Sequence, residues 1–175
     1  MVQKDGNPSV LSNSTLPYRD IKPTGAAGFY LGINATFRFI HDTYGAEALR
    51  QYWRDLGSRY FAPVSKIWSE GGLAGVGRYW RDFFGAEPGA EVAVTSEFDR
   101  VIVQVARCPA IQHLKNSQRE IMPDFCEHCY WVSRAIGQAS GISLVVRGGN
   151  GTCRQEFFHS CAGEVQKLED IARCS

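Results

Sequence analysis

Ile142-Ser143-Leu144-Val145-Val146-Arg147-Gly148-Gly149-Asn150-Gly151-Thr152-Cys153-Arg154-Gln155-Glu156-Phe157-Phe158-His159 carries the choice of fold class. Ile142–Arg147 is rich in β-branched residues and reads as a strand. Gly148–Gly151 supplies residues that reach positive φ cheaply, as a tight turn requires. Cys153–His159 then reads as the return strand. The glycines lack the Lys-Ser/Thr of a phosphate loop and no helix follows them, so this is a hairpin turn. A second hairpin lies upstream, where Val92 and Val94, then Val101, Val103 and Val105, alternate with other residues around Glu97–Arg100.

Helical periodicity fills the remainder. Phe29, Ile33, Phe37, Ile40 and Tyr44 share one face of a first helix, which Gly45 closes. Leu49, Trp53, Leu56 and Tyr60 face inward from a second. A third, interrupted at Gly71-Gly72, carries Ile67, Leu73, Val76, Trp80 and Phe83. Two helical stretches, about Ala110–Ile121 and Asp124–Ala139, separate the hairpins, and Glu164–Arg173 is predicted as a last helix. Two hairpins without βαβ crossovers predict an α+β fold, an antiparallel sheet of about four strands with helices packed on it. Residues 1–24 read as a flexible arm and residues 25–175 as a single domain.

The 175 residues suffice for one sizeable core. A formal charge of +1, from 19 basic and 18 acidic side chains, gives no electrostatic case for nucleic acid or an anionic membrane surface. No apolar run approaches the roughly 20 residues that cross a bilayer. The first residues lack the apolar stretch of a secretion signal, which predicts a cytoplasmic protein whose six cysteines stay reduced. The aromatic helices leave a homodimer interface open.

Candidate chemistry lies in residues 107–157. Cys126 and Cys129 form a Cys-Glu-His-Cys segment at the start of a helix, where i, i+3 spacing puts both sulfurs on one side and the helix dipole favours thiolate. Cys108 ends a strand of the first hairpin and Cys153 begins the last strand of the second. Strand ends and a helix start are places where chain-distant groups meet. The reading leaves three roles open for these cysteines: metal ligands, with zinc or iron as the metal; catalytic or redox thiols; and small buried core residues. His128 lies about 100° round the helix from Cys129, which argues against one metal shared with both cysteines. His41-Asp42 and His113 read as surface groups.

Pro123-Asp124-Phe125-Cys126, Gly137, Gly141 and Gly149-Asn150-Gly151-Thr152-Cys153-Arg154-Gln155-Glu156-Phe157 resemble the C-terminal signature of domains related to bacteriochlorophyll 4-vinyl reductase. Cys108-Pro109 followed by Phe125-Cys126-Glu127-His128-Cys129 more closely resembles the L-2-amino-thiazoline-4-carboxylic acid hydrolase-like family. The resemblance spans roughly residues 26–160. It implies a small-molecule pocket between sheet and helices, and hydrolysis of a C–N or C–S bond in a heterocyclic or amino-acid-like substrate. In that scheme Cys108, Cys126 and Cys153 hold a metal, with Cys129 or His128 as fourth partner and Cys126 at the centre of the chemistry. Glu127 and His128 move protons, and Arg147 or Arg154 holds a substrate carboxylate. A non-catalytic sensor or carrier of a small ligand or a metal is the alternative. A redox protein built on Cys126 and Cys129 would lack the βαβ context usual for such motifs.

Overall fold

In a computed structural model the structure describes residues 28–162 and 164–175. The predicted arm over residues 1–24 lies outside them. Helix α1 (Gly28–Tyr44) ends where Gly45 takes φ +86° and returns its N–H to the His41 carbonyl at 2.8 Å. Phe37 is buried, but Phe29 and Tyr44, predicted on the same face, are exposed. Helix α2 (Ala46–Asp55) buries Leu49 and Trp53. It runs into a π-helical turn, Leu56–Tyr60, whose wider winding rotates Tyr60 out of its predicted inward position. Gly57 in that turn lies against the following layer: a Cβ there would stand 2.4 Å from the Val132 carbonyl oxygen. Helix α3 (Ala62–Gly85) is kinked at Gly72, with φ 53° and ψ −146°, at the predicted Gly71-Gly72 interruption. It buries Val64, Trp68 and Val76, whereas Ile67 faces out.

The sheet has five strands rather than four: β1 (Glu91–Ser96), β2 (Arg100–Arg107), β3 (Ile142–Gly149), β4 (Thr152–His159) and β5 (Ile171–Ala172), in the order β1-β2-β4-β3-β5. Both predicted hairpins form, and β2 pairs antiparallel with β4, setting Val103 opposite Gln155. Helices α4 (Pro109–Asn116) and α5 (Glu127–Gln138) connect them and are shorter than predicted. The fold is therefore α+β.

The predicted last helix does not form. Residues Leu168–Asp170 make a single 3-10 turn, and Ile171–Ala172 pair in parallel with Gly148–Gly149. The free edge of β3 offers backbone partners there. Gly149 makes the approach possible, since a Cβ on it would fall 2.4 Å from the Ala172 carbonyl oxygen. Among the described residues no helix is long and apolar enough to cross a membrane.

Two apolar cores result. One lies between the sheet and α3 and α5, around Trp68, Val103, Leu144 and Phe157. The other joins α1, α2 and α4 to the turn before α5, around Phe37, Trp53, Leu114 and Phe125. Cys108, Cys126, Trp131 and Val132 pack against both.

Candidate functional site

Cys108 and Cys126 sit at the seam between the two cores. Cys108 follows β2 directly as the residue before α4, and its N–H donates to the Gly151 carbonyl in the β3–β4 turn at 2.9 Å. Cys126 precedes the first residue of α5. Its sulfur accepts the Asn150 N–H at 3.3 Å and lies 3.4 Å from the sulfur of Cys174. Cys129 sits in the first turn of α5, and Cys153 pairs with Val105 and Gly148 from the middle of the sheet. All of these are free thiols. Burial pushes the Cys108 thiol up to about 11 and those of Cys129 and Cys153 up to about 12, so they stay protonated at neutral pH. Cys126 and Cys174 titrate together. Cys174 receives hydrogen bonds from Cys126 and from the backbone N–H of Asn150, which bring it below the ordinary cysteine range and leave Cys126 protonated.

His128 is fixed from two sides. Its ring packs on Phe37 and Phe125, with centroids 5.4 and 5.0 Å away. Its Nδ1 lies 2.6 Å from the Phe125 carbonyl oxygen, an acceptor, so Nδ1 carries the proton and Nε2 keeps its lone pair. The Cys129 sulfur is 3.6 Å from Nε2 and 4.0 Å from Nδ1, so it rests over the face of the ring beside the Nε2 edge. The 100° separation on a helical wheel does not keep the two apart, because the imidazole folds back over the open first turn of α5. Burial holds the His128 pKa below its ordinary value, so the ring is neutral at pH 7.

Other expected site residues are engaged elsewhere. Glu127 accepts two hydrogen bonds from Arg50, at 3.0 and 3.3 Å, and one from Trp131 Nε1 at 3.1 Å. A carboxylate held this way braces α2 against α5 and is not free to move protons. Arg147 and Arg154 stand on the sheet face away from the helices. There they share the buried Glu156 with Arg100, at 3.3, 2.9 and 2.9 Å, and Arg147 also pairs with Glu164. The sheet separates both arginines from the thiols, which corrects their expected place beside a substrate carboxylate. His41 and Asp42 do touch, at 3.0 Å, but at the surface.

Zinc or iron needs at least three donors around one point. Among the described residues no three His, Cys, Asp or Glu side chains are so grouped. Cys126 meets Cys174, Cys129 meets His128, and Cys153 has the Gln155 amide nitrogen 3.9 Å away. Among the described residues the expected set of Cys108, Cys126, Cys129 and Cys153 does not converge as the ligands of one metal ion.

Three further groups surround the thiols. Gln155 is 2 % exposed, and its Oε1 has no hydrogen-bond partner among the described residues. Tyr30 donates to Glu87 Oε2 at 2.7 Å, and burial together with this bond raises its hydroxyl above the ordinary tyrosine range. It borders a cavity of about 350 Å³ whose lining includes both chain neighbours of Cys108, Arg107 and Pro109. Cys174 carries no signal of its own in the sequence, where it stands just beyond the helix predicted over Glu164–Arg173. Tyr30 and Gln155 carry no local pattern that marks them. No family model, curated protein or solved structure matches the chain.

Proposed function

We propose that the chain is a metal-free thiol hydrolase acting on a C–N or C–S bond of a small heterocyclic or amino-acid-like molecule. The observation that carries this reading is the placement of Cys129 Sγ 3.6 Å from His128 Nε2, with Nδ1 anchored to the Phe125 carbonyl. Nucleophile, base and a group that orients the base are the three parts that activate a weak nucleophile. Because the thiol is protonated and the imidazole neutral, activation is by proton transfer during attack rather than through a standing ion pair.

A turn of the Cys129 side chain from the ring face to the Nε2 edge lines its S–H up with the lone pair, and the sulfur then attacks the electrophilic carbon as its proton passes to His128 Nε2. The imidazolium returns that proton to the leaving nitrogen or sulfur. Water, deprotonated by the neutral imidazole, then cleaves the sulfur–carbon bond and restores the thiol. The unpartnered Gln155 Oε1 supplies an acceptor for a substrate N–H, and a buried group of this kind discriminates strongly against ligands that leave it unpaired.

The test is a panel of thiazolines, cyclic amidines and small amides, assayed with the wild-type chain and Cys129→Ser, His128→Gln and Cys126→Ser. Turnover by the wild type should be lost in Cys129→Ser and fall about 10²–10⁴-fold in His128→Gln, with unchanged circular dichroism. A covalent adduct on Cys129, seen by mass spectrometry, would identify the nucleophile. Full activity in Cys129→Ser would sink the proposal, and binding without turnover would make the domain a carrier.

A further inference from the structure

The corner formed by Cys126 and Cys174 is built differently from the Cys129–His128 pair and has no part in the hydrolytic scheme. It is stitched together from both sides. The Cys174 N–H donates to the Pro123 carbonyl at 2.7 Å, and Arg173 Nε lies 2.8 Å from Asp124 Oδ1. Asn150 gives its backbone N–H to Cys126 Sγ at 3.3 Å and its side-chain amide to Ser175 Oγ at 2.9 Å. Parallel pairing of β5 with Gly148–Gly149 fixes the direction of approach. These contacts hold two free thiols with their sulfurs 3.4 Å apart. A disulfide needs about 2.05 Å between sulfurs, so closure asks for a shift of about 1.4 Å, within reach of side-chain adjustment. Cys126 has its sulfur partner here and not in Cys129, whose sulfur lies against His128.

We propose that Cys126 and Cys174 form a reversible disulfide, a redox-modification site that ties the C-terminal strand to the start of α5. The oxidant is a low-molecular-weight disulfide, RSSR. Cys174 attacks one of its sulfurs as the thiolate, forming a mixed disulfide and releasing RS⁻. Cys126, losing its proton, then attacks the Cys174 sulfur and expels the second RS⁻. Two protein thiols surrender two electrons and two protons, and one RSSR becomes two RSH. The bond lies three residues before Cys129 in the chain, so oxidation stiffens the turn from which the His128 ring is anchored.

The experiment uses the full chain, reduced and freed of reductant, then incubated with glutathione disulfide. The expected result is one cross-linked peptide containing Cys126 and Cys174, with two thiols lost beyond the glutathione adduct at the exposed Cys161, all restored by dithiothreitol. Cys174→Ser and Cys126→Ser should each lose one thiol besides that of Cys161 and carry a stable glutathione adduct at the remaining partner. Oxidation should slow amide exchange across Ile171–Ser175 in the wild type and not in Cys174→Ser. Cys126 and Cys174 surviving as thiols in the wild type, a cross-link between other cysteines, or lasting glutathione adducts on wild-type Cys126 or Cys174 would each overturn the proposal. The wild-type peptide map decides the matter even if a variant fails to fold.

Discussion

Raising the pH above 9 should weaken this fold through its buried thiols. The folded-state values of Cys108, Cys129 and Cys153, about 11, 12 and 12, lie above the ordinary 9.0 because burial disfavours the thiolate. The folded chain thus keeps protons that the unfolded chain releases. Their stabilising contribution is complete below pH 9 and is lost as the pH climbs toward 11 and 12. At pH 10 an unfolded thiol gains about 1.4 kcal/mol from ionising that a folded one does not. Three such groups give about 4 kcal/mol, and solvent reaching the half-buried sulfurs reduces this to about 2–3 kcal/mol. Domains of this size are stable by about 5–15 kcal/mol, so the loss is large. Urea unfolding followed by circular dichroism at pH 8 and pH 10, under reductant, should show the midpoint falling by about 1 M. Cys153→Ala should flatten the dependence by about one third, one of three similar contributions. Equal midpoints at the two pH values would refute the claim that these thiols are held protonated by the fold.

Other expectations concern particular contacts. Hydrolytic turnover should keep its plateau below the ordinary histidine value of 6.5 and fall only at more acid pH, because burial keeps His128 neutral; a pH–rate profile breaking above 6.5 would contradict this. Arg154→Gln should leave the KM of any substrate within about twofold, since its side chain lies across the sheet from the thiols, and a rise of about tenfold would return it to the site. Arg50→Met should cost about 2–4 kcal/mol by stranding Glu127, and the double variant Arg50→Met/Glu127→Gln should recover part of the melting temperature. Gly57→Ala should lose about 1–3 kcal/mol in urea unfolding, as the added methyl meets the Val132 carbonyl; a neutral result would mean that the layers separate freely.

The hairpins were legible because alternation at Val92–Val94 and Val101–Val105 and the glycine turn at residues 148–151 are local signals. Helix existence was legible for the same reason, and helix faces less so. Tyr60 fits a 3.6-residue wheel through Leu56, yet a π turn inserts itself there, and no single-sequence periodicity registers such a change of winding. The C-terminal segment was misread because Leu168, Ile171 and Cys174 also satisfy helical spacing. What outweighs that preference is a neighbour distant in sequence, the free backbone edge at Gly148–Gly149. That Cys108 and Cys126 share one seam followed from a strand end and a helix start. Their individual partners did not, since side-chain pairing depends on rotamers and on residues such as Cys174 that arrive from elsewhere. Arg147 and Arg154 show the same limit: the one-residue offset that separates Arg154 from Cys153 puts them on opposite faces of β4.

Cys108 and Cys126 belong equally to the sheet core and to the helical core. A boundary shared by two packed bodies is the natural plane along which a domain opens short of complete unfolding. Sulfur atoms set in that plane are built-in recorders of such openings. Their labelling rate under strongly native conditions would measure how often the helical layer lifts from the sheet, and a rate faster than global unfolding would show that the two bodies part company while each remains folded.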